Sequence, residues 1–308
     1  MPSIKLGMLN RIFMANLKTL KTRIKSVKST QKMTKAMKMV AASRLKKARN
    51  LVESSRPFAE KIREMTSSLA SNISVRGGLN EKFPLLTGKG TNEKHLIVVV
   101  SSDRGLCGGL NSATVKFTKI KINELIGQGR EVKIMCVGRK AFEQLRPIHG
   151  NKIVENFSGI FRSVINYDVA QKLSTKIIEM FNDDQFDVCE VIYSKFKSAI
   201  TQEQICNQII PVPINFNANS ANLESPMNYE PSEEEILEEL LPKNITIQIY
   251  NQLLENSASE QGARMSAMES ASNNAGKMIK NLTLVYNRTR QANITRELID
   301  IVSGANAV

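Results

Sequence analysis

The sequence predicts an α/β protein: a long antiparallel coiled coil of N- and C-terminal helices plus a central α/β domain. Three observations predict it. From Lys243 to Ser303 there is no proline, and Ile247, Tyr250, Leu254, Ala258, Met265, Met268, Ala275, Ile279, Leu282 and Tyr286 recur at steps of three and four, with Gln261 and Ser272 filling the gaps. A second such stripe runs at the opposite end of the chain through Leu17, Leu20, Ile24, Val27, Gln31, Thr34, Ala41, Leu45, Ala48 and Val52. Between the two, short apolar runs alternate with helix-period segments. Each stripe is too narrow to bury much alone, so each is the natural partner of the other. A continuous helix over the C-terminal run would reach about 90 Å and the N-terminal one about 60 Å. From Asn256 to Gly276, fifteen of twenty-one residues are Ala, Ser, Gly or Asn, which lets a neighbouring backbone come close.

Residues 1–13 are a leader or basic tail, with Lys5 and Arg11 and no acid, consistent with the end of an organellar targeting segment and equally with an ordinary tail. Residues 14–70 form the N-terminal coiled-coil helix, with clear periodicity from Asn16. Pro57 is expected to end it or to kink it into Phe58–Ala70, because proline lacks a donor and disfavours helical geometry in Arg56. Gly77, Gly78, Pro84, Gly88 and Gly90 make residues 71–94 a linker without an element of its own. The α/β domain, residues 95–214, opens with a buried-type strand at His95–Ser101, a glycine-rich turn and a helix at Asn111–Ile126. A strand at Glu131–Val137, a short helix near Lys140–Leu145, a helix at Tyr167–Phe181 and strands at Val188–Phe196 and Ile205–Ile214 follow, a pattern that favours a mostly parallel, Rossmann-like sheet. Residues 215–231 read as loop. The C-terminal coiled-coil region, 232–308, starts with Ser232 as N-cap, Glu235 completing a capping box and Glu233 and Glu234 at the positive helix end. Pro242 is expected to separate or kink Ser232–Leu241 from the long helix.

The formal net charge of +14 sits at one end of the chain. Residues 1–52 hold fourteen Lys or Arg and no acid, and the remaining 29 basic residues equal the 29 acidic ones. Cys107, Cys136, Cys189 and Cys206 form no CxxC pair, and His95 and His149 are the only histidines, which argues for reduced, buried thiols and against a metal site. No run approaches the length of apolar residues that spans a bilayer. Neither a nucleophile triad nor a carboxylate pair can be assembled, so no catalytic, cofactor-binding or metal-ligating residue is assigned.

Ser101–Asn111 is the sharpest local signal. A glycine-rich turn between strand and helix can offer backbone N–H groups to a phosphate, but this one lacks both GxGxxG and GxxxxGK[ST] spacing, which favours a tight turn over a nucleotide site. The basic N-terminal run suits phosphates of nucleic acid, or anionic lipid with Met33, Met37 and Met39 as the apolar face. It carries no reader motif, however, and its stripe must be buried, which favours an acidic protein partner. A basic helical nucleic-acid-binding or nucleotide-binding protein is the alternative reading.

Lys32-Met33-Thr34-Lys35-Ala36-Met37-Lys38-Met39-Val40-Ala41-Ala42-Ser43, the stretch Asp103–Asn111, and Arg288-Thr289-Arg290-Gln291-Ala292-Asn293-Ile294-Thr295 with Glu297–Gly304 together resemble the gamma subunits of F-type rotary ATP synthases, from Met14 to Val308. The resemblance implies a coiled coil inside a ring of three alpha and three beta subunits, with the α/β domain flanking the lower shaft. It implies a central rotor that turns with the membrane c-ring, couples proton flow to the cycling of the catalytic beta subunits, and has no active site or cofactor of its own. Alpha and beta subunits, delta- and epsilon-type stalk subunits and the c-ring are the implied partners, without nucleic acid and without direct membrane insertion. Lys35, Met37 and Lys38 match the stretch that meets an acidic lever of a beta subunit. Arg290, Gln291 and Thr295 match positions that hydrogen-bond a beta-subunit loop, and Tyr229 and Glu230 match the foot on the c-ring. Photosynthetic members carry a regulatory cysteine insertion between strands that are expected here to end at Ile200 and begin at Gln204, leaving no room for it. The run Leu282–Arg290 resembles mitochondrial members, implying the matrix side of the inner membrane, with the cytoplasmic side of a bacterial membrane as the alternative.

Overall fold

The computed structural model describes residues 3–75, 82–162, 164–213 and 232–305. Two helices, α1 (Ser3–Val75) and α6 (Glu233–Ala305), contribute to both of its compact units, Met1–Val40 with Met265–Val308, and Ala41–Arg264.

In the smaller unit the predicted stripes face each other. On α1 the buried or half-buried positions from Leu17 to Lys38 include Leu20, Ile24, Val27, Gln31 and Thr34; on α6 they include Met268, Ser272, Ala275, Ile279, Leu282 and Tyr286. Gln31 Nε2 donates to the Ser272 carbonyl at 3.3 Å, and Lys38 Nζ pairs with Glu269 Oε1 at 2.6 Å. Numbers rise on one helix as they fall on the other, so the pair is antiparallel. Small residues bring the backbones together: a Cβ added at Gly276 would lie 3.0 Å from Gln31 Nε2.

The larger unit is built on a five-stranded sheet of order β3-β2-β1-β4-β5. Its strands are β1 (Lys94–Val100), β2 (Glu131–Val137), β3 (Ile153–Phe157), β4 (Val188–Phe196) and β5 (Gln202–Ile210). The first four pair in parallel and β5 is antiparallel to β4. Crossover helices α3 (Leu110–Gly127), α4 (Arg139–His149) and α5 (Tyr167–Asn182) connect the parallel strands. Because successive strand residues point to opposite faces, β1 serves two cores. Ile97 and Val99 pack with Ile122 and Leu125 of α3 and Leu145 of α4. Leu96, Val98 and Val100 face the other side, with Leu173 and Ile177 of α5. That second core also takes Leu69 and Ile73 from α1 and Leu237, Leu241, Ile245, Ile249 and Leu253 from α6.

Several element limits differ from expectation. The first helix begins at Ser3, within the segment read as a tail, and runs through Pro57 to Val75 without ending. Pro57 is exposed, so the Glu53 carbonyl that loses its partner faces water, while Ser55 Oγ bonds Asn251 Oδ1 at 2.8 Å and Ile62 and Leu69 are buried beyond it. Pro242 likewise lies inside a continuous α6, held on both sides by buried Leu237, Leu241 and Ile245. Packing of that face outweighs the roughly 3 kcal/mol that an interior proline costs. Ser232 does cap α6, its Oγ accepting the Glu235 N–H at 3.2 Å. The segment read as a linker contains a one-turn helix, α2 (Pro84–Thr87). β3 was not expected; Ile153-Val154-Glu155-Asn156-Phe157 carries too few apolar residues to register as a strand at the edge of a sheet. The β4–β5 connection spans Lys197–Thr201, not Thr201–Glu203, and closes as a hairpin with Ser198 N–H donating to the Thr201 carbonyl at 3.0 Å.

Candidate functional site

The glycine-rich segment after β1 is a capping device. The first three N–H groups of α4 have no partner within their own helix, and three consecutive residues of the segment satisfy them. Arg139 N–H donates to Asp103 Oδ1 at 3.1 Å, Lys140 N–H to the Ser102 carbonyl at 3.1 Å, and Ala141 N–H to Ser101 Oγ at 2.8 Å. The approach is so close that a Cβ on Gly138, at φ +102°, would meet the Ser101 carbonyl oxygen at 2.2 Å. Asp103 also accepts from Gly159 N–H and Phe161 N–H, both at 2.8 Å. The Asp103 carboxyl is thereby committed to backbone donors of α4 and of the segment after β3, which ties the turn to both. Within the segment, Asn111 Oδ1 accepts from Ser102 N–H at 3.1 Å, and Leu106 and Gly108 adopt positive φ.

Strand order reverses between β1 and β4, and open α/β sheets commonly bind ligands in the crevice beyond the strand ends at such a point. Here α6 occupies it. Arg264 donates to the Gly105 carbonyl at 3.1 Å, and Ala263 packs with Cys107 and Leu110. β4 extends past its pairing with β1, and α6 supplies the missing partners: Phe196 N–H donates to Glu255 Oε2 at 3.0 Å, Ser194 N–H to Asn256 Oδ1 at 3.4 Å, and Ser259 Oγ donates to the Ser194 carbonyl at 2.8 Å. A Cβ on Gly262 would lie 3.0 Å from the Phe196 ring. The small and polar composition of 256–264 thus serves sheet and loop as well as a second helix. Arg264 pairs with buried Glu260 at 2.7 Å; burial pushes the Glu260 carboxyl above its ordinary range against the pull of this guanidinium.

Neither histidine belongs to a reactive cluster. His95 is the second residue of β1, its Nε2 3.1 Å from Arg130, and burial together with Lys119 and Lys152 lowers the His149 pKa. Burial raises Cys136 and Cys206 to about 12. Among the described residues no group of three or more His, Cys, Asp and Glu side chains is arranged to hold a metal ion, and no helix is long and apolar enough to cross a membrane.

The residues singled out for beta-subunit contact fall on the smaller unit. Lys35 is exposed and bonds no described residue; Met37 is 37% exposed. Lys38 differs, being half-buried and engaged with Glu269. Arg290, Gln291 and Thr295 are all exposed on α6. Tyr229 and Glu230 lie outside the described residues. Sequence reasoning missed Asp103 and the α6 residues that close the crevice. Ser-Ser-Asp is a run of preferred cap residues, but the helix it caps starts 36 residues after Asp103.

Residues 16–308 match the ATP synthase family. An ATP synthase gamma chain of Paramagnetospirillum magneticum is 48% identical over 297 residues, covering 96% of this chain and all of the relative. The gamma chain of Rhodospirillum rubrum is 46% identical over 302 residues, with the same coverage. Among solved structures, a chain from the central stalk and c-ring of the Tetrahymena thermophila mitochondrial ATP synthase superposes with a TM-score of 0.59 at 26% identity, covering 78% of this chain and 99% of that one. A chain of the Euglena gracilis mitochondrial enzyme reaches a TM-score of 0.64 at 18% identity over 95% and 94%, a likeness of fold alone. With its terminal stripes paired, its sheet in place and gamma chains matched over their full length, the chain belongs to the ATP synthase gamma-chain family.

Proposed function

We propose that the chain is the central rotor shaft of an ATP synthase, coupling proton-driven rotation of a c-ring to the conformational cycling of catalytic beta subunits. The observation that carries this reading is the locking of α6 to the sheet by Glu255, Asn256, Ser259 and Arg264. Torque applied to the α/β body enters a helix whose backbone continues without interruption to Ala305. Residues 14–70 and 232–308 serve as the shaft and 95–214 as the body, joined through 71–94 and 215–231. Lys35, Met37 and Lys38 meet an acidic lever of a beta subunit, Arg290, Gln291 and Thr295 hydrogen-bond a beta-subunit loop, and Tyr229 and Glu230 contact the c-ring. Alpha subunits and delta- and epsilon-type stalk subunits complete the partners.

The chain turns over no nucleotide itself. In support, α6 fills the crevice where such a sheet would hold one, and the turn at 101–111 lacks the spacing of a nucleotide motif. The rotor role is tested by replacing exposed Asn123 with Cys in the assembled enzyme, attaching a bead there and adding ATP. Unidirectional rotation is expected, and a bead that stays still while the enzyme hydrolyses ATP sinks the proposal. The matrix side of the mitochondrial inner membrane is the favoured setting, supported by Leu282–Arg290 and by the acid-free basic start. Bacterial gamma chains at 46–48% identity support the cytoplasmic face of a bacterial membrane as the second reading. Fractionation of source cells, with immunodetection of the chain in organelles or in the plasma membrane, separates the two.

A further inference from the structure

Where α1 and α6 pass the segment between β3 and α5, the larger unit contains a cavity of about 390 Å³ that neither the sheet core nor the crevice uses. Its floor is apolar, formed by Leu51 of α1, Leu254 of α6, and Phe161 and Ile165 of the intervening segment. Phe161, Ile165 and Leu254 are 6%, 3% and 1% exposed, so packing on their far sides fixes the floor. The mouth is cationic. Arg44 and Lys47, three residues apart on one face of α1, are both exposed and form no ion pair with a described residue; the lining holds no carboxylate, and Arg44 acts at longer range on the buried Glu260 carboxyl. At the wall, Gln261 is only 5% exposed, and its amide bonds no described residue. The amide stands at the edge of the cavity, open to water or to a ligand.

An apolar floor, an accessible amide at the wall and two cations at the mouth suit a molecule with an apolar body and a single anionic head. The volume lies at the small end of the roughly 300–1,000 Å³ of ligand pockets, which restricts the body to a short chain or a single ring system. We propose that this cavity binds a small amphipathic carboxylate, with its body on Leu51, Phe161, Ile165 and Leu254 and its carboxylate between Arg44 and Lys47. A polar atom near the head would pair with the Gln261 amide.

The test uses the assembled enzyme and an octanoate analogue bearing a diazirine on its tail. After irradiation and digestion, label is expected on peptides containing Leu51, Phe161 or Leu254. It should fall by roughly tenfold in the Arg44→Gln/Lys47→Gln variant, because charge-assisted contacts to the head are lost. Gln261→Leu leaves both cations and the floor in place, and is expected to weaken labelling less. Excess octanoate should protect, whereas octan-1-ol, with the same chain and no charge, should not. Equal labelling of parent and double variant, equal protection by octan-1-ol, or label scattered over the surface overturns the proposal. Absence of label overturns it too, and leaves the cavity to an acidic segment of a partner subunit.

Discussion

Charge reversal at Lys35 and at Lys38 separates partner contact from shaft stability. Lys38 and Glu269 stand 2.6 Å apart with side chains 38% and 51% exposed. At that distance the attraction is about 1.6 kcal/mol in bulk water. Pinning two long side chains offsets part of it, so the pair contributes about 0.5–1 kcal/mol. In Lys38→Glu two carboxylates face each other and swing apart; at about 6 Å their repulsion costs about 0.7 kcal/mol in water. The reversal therefore destabilises the paired helices by about 1–2 kcal/mol, and added salt should reduce the loss. Lys35 is exposed and bonds no described residue, so Lys35→Glu should leave stability within about 0.5 kcal/mol of the parent. If Lys35 meets an acidic lever, that same variant lowers ATP turnover and ATP-driven proton pumping, with partial recovery as ionic strength rises. Denaturant unfolding of the chain, and turnover and pumping of the assembled enzyme, are measured for Lys35→Glu, Lys38→Glu, Glu269→Lys and the swapped pair. The swap should restore stability. If Lys38→Glu/Glu269→Lys remains as unstable as Lys38→Glu, the pair does not carry the assigned energy. If Lys35→Glu turns over and pumps like the parent at every salt concentration, Lys35 leaves the contact set.

Further outcomes are expected in the larger unit. Asp103→Ala strands three backbone N–H groups at about 1–3 kcal/mol each when buried, giving a non-additive total of about 3–5 kcal/mol in urea unfolding, with Asp103→Asn losing less. Turnover of the assembled enzyme should be equal with and without dithiol. Cys189 and Cys206 pack on opposite faces of the sheet, and Cys136 and Cys206 are three strand spacings apart, about 14 Å, beyond the reach of a disulfide. Burial pushes the Glu190 carboxyl up, but Lys121 at 3.1 Å from Oε1 and His95 beside Oε2 prevail and its pKa is lowered. Its ionised form therefore contributes stability above the unfolded carboxylate pKa, and loses it as pH falls through the lowered folded value. Stability of the parent relative to Glu190→Gln should hold near neutral pH and converge as the solution is acidified below that range.

The stripes and most of the parallel sheet were legible because their information is local. Ile24, Val27, Gln31 and Thr34 sit at helical spacing whatever covers them, and β1 and β4 are strongly apolar. That the helices continue past Pro57 and Pro242 was not legible, because local propensity cannot see Leu69 or Ile245, whose packing keeps them whole. Asp103 was legible only as part of a turn. The groups it bonds lie at Arg139, Gly159 and Phe161, and nothing in the spacing of the sequence links them. The turn-rich composition that sets a boundary before residue 95 could not show that α1 and α6 bury apolar residues in the same core as the sheet.

That shared core fixes an order on biosynthesis. All five strands have been made once Ile210 is added, yet the face carrying Leu96, Val98 and Cys189, covered in part by α5 and by Leu69 and Ile73 of α1, is completed only by residues from Leu237 to Leu254. Until those residues leave the ribosome, part of that face stays uncovered, the kind of intermediate that chaperones hold and proteases remove. A chain cut short before Leu254 is thus a substrate for degradation rather than a shortened shaft. Bodies without α6 are therefore expected to be cleared before they can compete for a place in the complex.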